Sequence, residues 1–208
     1  MSKRAPSRGQ YDRAQLPEER RADTRARILA AALEVVTVRG LADASVEHVV
    51  RVAGVSRRTF YETFKDLPQV LIALHHEAAN LLFHSVEAAV IAAPDDPLSR
   101  IRVGVDAFFR TIMEHADFAR VALQQLRGSP EHDAVRELGH GRYIALFIQE
   151  VAKAHAAGIA SRAPDELTIY AIVSGMESVA LRHLARREES RLMEAGPSMM
   201  ELLVRAFI

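Results

Sequence analysis

Between Ser45 and Lys65 the chain reads SVEHVVRVAGVSRRTFYETFK, two short stretches of helical apolar periodicity that pivot on Ala53-Gly54-Val55. Ser45 can cap the first stretch, which runs to about Val52, and Ser56 can cap the second, which ends near Phe64. Phe60 and Phe64, four residues apart, share a face and are expected to pack inward on the first helix, leaving Arg57 and Arg58 turned outward. Two short helices around a tight Gly turn are what a helix-turn-helix requires: the first braces across a nucleic-acid backbone and the second enters the major groove. Arginine matches guanine O6 and N7 in that groove, and Thr and Tyr hydroxyls can hold phosphate oxygens.

The flanking sequence supports a helical frame. In DTRARILAAALEVVTVRG, Asp23 or Thr24 can cap a helix whose Ile28, Leu29, Ala32, Leu33 and Val36 lie on one face and which Gly40 stops. Asp66, with Pro68 just inside, marks a start from which apolar periodicity continues to about Ala92, long enough to bridge two domains. After the APDDP loop, LSRIRVGVDAFFRTIMEH and ADFARVALQQL read as two helices, and RGSPEHD as another loop. Ala134–Gly158 reads as helical, with Gly139 and Gly141 weakening its first half; Asp165 to Arg187 and Ser198 to Ile208 close the chain, with EAGP as a break between them. No strand pattern or internal repeat is evident, so the expected fold class is all-α: residues 1–22 a disordered basic arm, 23–66 a three-helix DNA-binding domain, and 67–208 a larger helical domain.

Charge distribution points to the same end of the chain. The formal net charge is zero, but residues 1–66 hold 13 Lys+Arg against 9 Asp+Glu and the remainder 14 against 18, so a polyanion would dock at the N-terminal third. Within the arm, Lys3, Arg4, Arg8 and Arg13 could follow a DNA groove. The absence of cysteine excludes disulfides, thiolate metal sites and a cysteine nucleophile. No apolar run approaches the roughly 18 residues that suggest a membrane span, and the expectation is a cytoplasmic protein with no membrane partner.

From Thr24 to Leu71 the chain resembles the DNA-binding domain of the TetR family of bacterial transcriptional regulators. The matching residues are TRARILAAALEVV, the Gly40 stop, SVEHV, AGVS and RRTFYETF, in the family's order and spacing. The resemblance implies a homodimeric regulator, most simply a repressor, released from a palindromic double-stranded DNA operator by a small-molecule effector held in the C-terminal domain. It implies that Ser45 caps its helix beside a phosphate, that Arg57, Arg58 and Thr59 face base edges, and that Tyr61 donates to the backbone, with Ser56 as the second cap. Four positions depart from the family pattern. Val50 stands where a small Ala is usual, and His48 replaces the acid that would complete a capping box with Ser45. Glu62-Thr63 replaces an aromatic and a His, with Glu62 expected to orient Arg58. Leu67-Pro68 replaces Lys-Glu, leaving Lys65 as the substitute phosphate ligand.

In the remaining chain, Phe108, Phe109, Met113, Phe118, Tyr143, Phe147 and Tyr170 are bulky residues on several expected helices, with Gln125 and Glu177 as polar candidates for an effector site. Glu177 is the only charge between Leu167 and Leu181; its partner is expected to be Arg182, a dimer mate or the effector itself. The apolar surface of the last two helices suggests a four-helix dimer interface through Val173, Gly175, Leu203 and Phe207. Nine histidines invite a metal reading, but no pair has the i, i+4 spacing of a helical zinc site, and the single Glu-x-x-His, Glu137 to His140, is half of what a di-iron bundle needs. No phosphate loop, nucleophile elbow or paired-carboxylate site appears, so no catalytic residue, metal or cofactor is assigned. Two alternatives remain: an all-helical enzyme or carrier whose N-terminal helices are structural, and a DNA-binding regulator that needs no effector.

Overall fold

The computed structural model describes residues 17–124 and 130–208, and every regular element among them is helical. Nine α-helices follow in order: α1 Pro17–Arg39, α2 Val46–Ala53, α3 Arg57–Thr63, α4 Leu67–Ala92, α5 Pro97–Glu114, α6 Ala116–Gln124, α7 Pro130–Ala156, α8 Glu166–Arg186 and α9 Leu192–Phe207. A single 3-10 turn, Glu189–Arg191, precedes α9. Arm residues 1–16, Gln125 and the start of the RGSPEHD loop lie outside the described residues. Among the described residues no helix is long and apolar enough to cross a membrane.

Three elements begin earlier than the sequence suggests; α7 starts at Pro130 rather than Ala134, so the end of the expected RGSPEHD loop is helical. α1 starts at Pro17, so residues 17–22 of the expected arm are helical and Asp23 and Thr24 lie inside the helix rather than capping it. Pro at the start and Glu18 and Glu19 in the first turn suit a helix N-terminus, where free N–H groups and the dipole favour negative charge. α9 starts at Leu192, and EAGP is part of it: exposed Pro197 removes one backbone donor without breaking the helix. Asp66 caps α4 at the expected start, accepting from the Gln69 N–H, and Asp96 and Asp165, not expected as caps, accept from the backbone N–H groups of Ser99 and Thr168.

Two apolar clusters organise these helices. The N-terminal one gathers Ile28, Ala32, Val36, Val49, Phe60 and Phe64 with Val70, Leu71 and Leu74 of α4 and Val121 of α6. The C-terminal one joins α4, α5, α7, α8 and α9 around Phe83, Val86, Phe109, Met176, Leu184 and Leu203. α4 and α6 belong to both, since Phe83 and Val86 sit in one cluster and Leu74 in the other, as do Ala119 and Val121. Gly104 lets α5 close on α4: a Cβ there would lie 3.1 Å from the Val90 side chain.

Candidate nucleic-acid interface and C-terminal cavity

Local chemistry sets the geometry of the α2–α3 pair. Ser45 accepts from the His48 N–H at 3.3 Å, a long cap consistent with the missing capping-box acid; the His48 imidazole turns instead to the Asp43 carbonyl. Gly54 ends α2 in the left-handed region at φ 63°, a conformation that costs glycine little. Arg27 of α1 then donates to the carbonyls of Ala53 and Gly54 at 2.6 and 3.1 Å, satisfying acceptors that the helix end leaves unpaired. No local pattern marks Arg27 for this role, because its partners lie 26 and 27 residues away.

On α3, Ser56 accepts from the Thr59 N–H at 3.0 Å, and Phe60 is fully buried, worth about 1.5–3 kcal/mol of transfer free energy for the helix that carries it. With Phe64 also buried, the opposite face must point to solvent. Arg57, Arg58 and Tyr61 are exposed there, Tyr61 at 56% with its ring edge against Phe60. Arg58 donates to Glu62 at 2.8 Å, the orienting contact expected of that acid, and the hydrogen bond and charge of Glu62 raise the guanidinium pKa further. Arg57 is not free to meet a base: it is paired with Glu47 in the first turn of α2, a contact the sequence reading missed. The Thr59 hydroxyl is also engaged, 2.8 Å from Ser56 Oγ. Lys65 is exposed at the α3–α4 corner. Arg20, Arg21 and Thr24 of the extended α1 share an open cleft with Thr59, Glu62 and Thr63, which enlarges the basic surface beside α3.

The expected effector residues do not form one site. Phe108, Tyr143 and Glu177 line a cavity of about 50 Å³ together with His75, His140 and Val173. Tyr170 stands next to it, its ring edge-on to His140. Phe109 and Phe147 are buried in the C-terminal core, Met113 packs against that core's edge, and Phe118 packs on the N-terminal cluster; none of these lines the cavity. Glu177 lies 2.9 Å from His140 Nε2, a partner inside the protomer that the sequence did not suggest. The sequence flagged the acid, but its partner is 37 residues away on α7. Burial pushes the Tyr143 phenol well above its ordinary range, with Arg142 pulling weakly the other way. Among the described residues no group of three or more His, Cys, Asp or Glu could hold a metal ion.

Three of the four expected dimer residues are in the wrong place. Val173, Leu203 and Phe207 are at most 4% exposed in the single chain, so they fill its own core and have no area left to offer a partner. The open apolar stripe is turned away from them, about 100° from Leu203 at Leu202 and about 160° from Val173 at Ala171 and Gly175. It runs through Leu167, Ala171 and Gly175 on α8, and through Met199 and Leu202 on α9. At Gly175 nothing lies within 4 Å of where a Cβ would be.

An Arg27-locked, Phe60-anchored helix pair with a basic outer face defines a helix-turn-helix protein. The model of the bacterial regulatory proteins of the tetR family matches residues 28–74, the stretch that holds α2, α3 and the second half of α1. It is 34% identical over 109 residues to the HTH-type transcriptional regulator EthR of Mycolicibacterium smegmatis, covering 52% of this chain and 50% of that protein. To EthR of Mycobacterium tuberculosis it is 33% identical over 114 residues, covering 51% and 53%. The chain thus matches about half the length of these relatives, which are regulators rather than enzymes. Among solved structures, the fatty acid degradation regulator FadR of Bacillus halodurans aligns with a TM-score of 0.76 at 20% identity, over 92% of this chain and 97% of that one. FadR of Bacillus subtilis, in complex with stearoyl-CoA, aligns with a TM-score of 0.74 at 20% identity, over 86% and 97%. At those identities the likeness is one of fold, and it extends through the C-terminal helices.

Proposed function

We propose that this chain is a homodimeric transcriptional repressor that binds a near-palindromic operator and is released by a small-molecule effector. The observation that carries the reading is α3: a Ser56-capped helix fixed by Phe60 and Phe64, with Arg57, Arg58 and Tyr61 on its outer face. Arg58 is presented by Glu62, whereas Arg57 must exchange Glu47 for a guanine edge, so the acid sets a threshold that only a good base contact overcomes. Tyr61, Lys65, Arg20 and Arg21 are placed for phosphates, and Ser45 and Ser56 hold the helix starts beside them.

The α8–α9 stripe through Leu167, Gly175 and Leu202 is the proposed dimer surface in place of Val173, Leu203 and Phe207. A twofold pairing there would set two α3 helices about 34 Å apart, one turn of DNA. The cavity between α4, α5, α7 and α8 favours an effector-responsive regulator over an effector-independent one, and the stearoyl-CoA complex of a protein with the same fold supports a ligand role for this domain. Release follows if the effector binds more tightly to the state whose reading heads are wrongly spaced.

Selection from a random duplex pool at near-physiological salt tests the reading, because that salt suppresses nonspecific phosphate attraction. Two half-sites in inverted repeat are expected. Enrichment of a single half-site would remove the dimer, and no enrichment would remove the DNA-binding role.

A further inference from the structure

Two buried polar side chains of α7 meet in the C-terminal cavity. Tyr143 and His140 are each 6% exposed, and both line it; Tyr143 Oη and His140 Nδ1 have no hydrogen-bond partner. Buried polar atoms are nearly always paired, so two beside one cavity indicate a group that the protein is built to receive. The other ring nitrogen, His140 Nε2, already lies 2.9 Å from the Glu177 carboxylate. With Nε2–H donating to Glu177, Nδ1 of the neutral ring is an acceptor, while the Tyr143 phenol is a donor. His75 and Arg136 add polar groups to the lining, and Leu82, Phe108 and Val173 supply its apolar part.

We propose that this cavity binds an uncharged molecule with an apolar body and one hydroxyl or carboxamide head, which accepts from Tyr143 Oη and donates to His140 Nδ1. A carboxylate would stand beside buried Glu177 and could offer Nδ1 no proton. An ammonium would compete with His140 for Glu177 and meet Arg136 at the cavity's edge. The cavity at about 50 Å³ admits the head but not the body, so entry requires one wall to yield. Val135, Arg136, Gly139 and His140 all belong to the first half of α7, where Gly139 and Gly141 lower helix stability; that half is the wall that opens.

Identifying the effector class rests on the regulator reading, but the binding site itself does not. The test titrates the full chain with phenol, benzamide, benzoate and benzylammonium, probes of similar size and different charge, following ligand signals by NMR. Phenol and benzamide should bind at least about ten-fold more tightly than the two ions, and Tyr143→Phe should weaken phenol about three- to ten-fold, the loss of one hydrogen bond. Phenol should also shift the His140 imidazole nitrogen resonances in the unmodified chain, a readout that survives if Tyr143→Phe fails to fold. Equal or tighter binding of either ion, or phenol binding that leaves both Tyr143→Phe affinity and the His140 resonances unmoved, overturns the proposal. Addition of phenol to the operator complex then separates the two readings: phenol that binds without weakening DNA affinity leaves the site standing and removes its role as the effector site.

Discussion

The helix-turn-helix end and the C-terminal end of this chain handle their polar groups in opposite ways. Around α3 the charged and hydroxyl groups are exposed and paired mostly within a turn: Ser56 with Thr59, Arg58 with Glu62, Thr63 with the Thr59 carbonyl. In the C-terminal half the informative pairs are withdrawn from solvent and distant in sequence, His140 with Glu177 buried and Arg120 with Glu189 half-buried. An exposed local pair is weak and easily exchanged, as a surface that must trade water and neighbours for DNA requires. A buried distant pair is costly to disturb and ties two helices together, which suits the proposed effector site, where occupancy would be coupled to shape.

The largest test of that contrast is to remove an anchor from each end. Phe60→Ala should destabilise the chain by about 3–5 kcal/mol, because a fully buried ring leaves a cavity, and should abolish operator binding; chemical denaturation and DNA titration measure both. His140→Leu should cost about 3–5 kcal/mol by leaving Glu177 buried without its imidazole, whereas the double replacement His140→Leu with Glu177→Leu should cost less than the single one. If the double variant is the less stable, the pair is not what binds α7 to α8. Arg57→Ala should leave stability nearly unchanged but weaken operator binding by about 1–3 kcal/mol and relax selectivity at one base pair; equal weakening on all operator variants would make it a phosphate ligand.

Smaller still is the loss of a cap. Ser56→Ala should lower stability by about 1 kcal/mol, read from the denaturation midpoint. The smallest effect is at acid pH. The Thr168 hydroxyl, then its N–H, hold the Asp165 carboxyl below its ordinary pKa of 3.8, and Ser99 does the same for Asp96. A depressed carboxyl stabilises the fold above its unfolded pKa and loses that contribution as pH falls through the folded value. Stability should therefore decline below about pH 4, and Asp165→Asn should flatten that decline; a slope unchanged by the substitution would assign it to other carboxyls.

Legibility in the sequence follows the same division. Ser45, Gly54, Ser56 and the Phe60–Phe64 spacing act within one or two turns, so sequence places α2 and α3 correctly. Arg27 on the α2 carboxyl end and Glu47 on Arg57 escape notice because their partners are brought near only by folding. For the last helices, periodicity correctly identifies apolar faces on α8 and α9 but not which face a single chain keeps for itself. That is why Val173, Leu203 and Phe207 prove internal while Leu202 is open. Glu177 stands out against an apolar helix, yet its match to His140 depends on how α7 and α8 cross.

α4 carries one further consequence. Its 26 residues span about 39 Å at 1.5 Å per residue, with Leu74 embedded in one cluster and His75, the next residue, in the cavity wall. A rod of that length tilted by roughly 5° swings its far end by about 3 Å, close to the rise of one base pair along DNA. On the proposed function, angular error at the cavity would be multiplied into misregister at the operator, and the proposed dimer would carry two such levers moving in opposite senses about one axis.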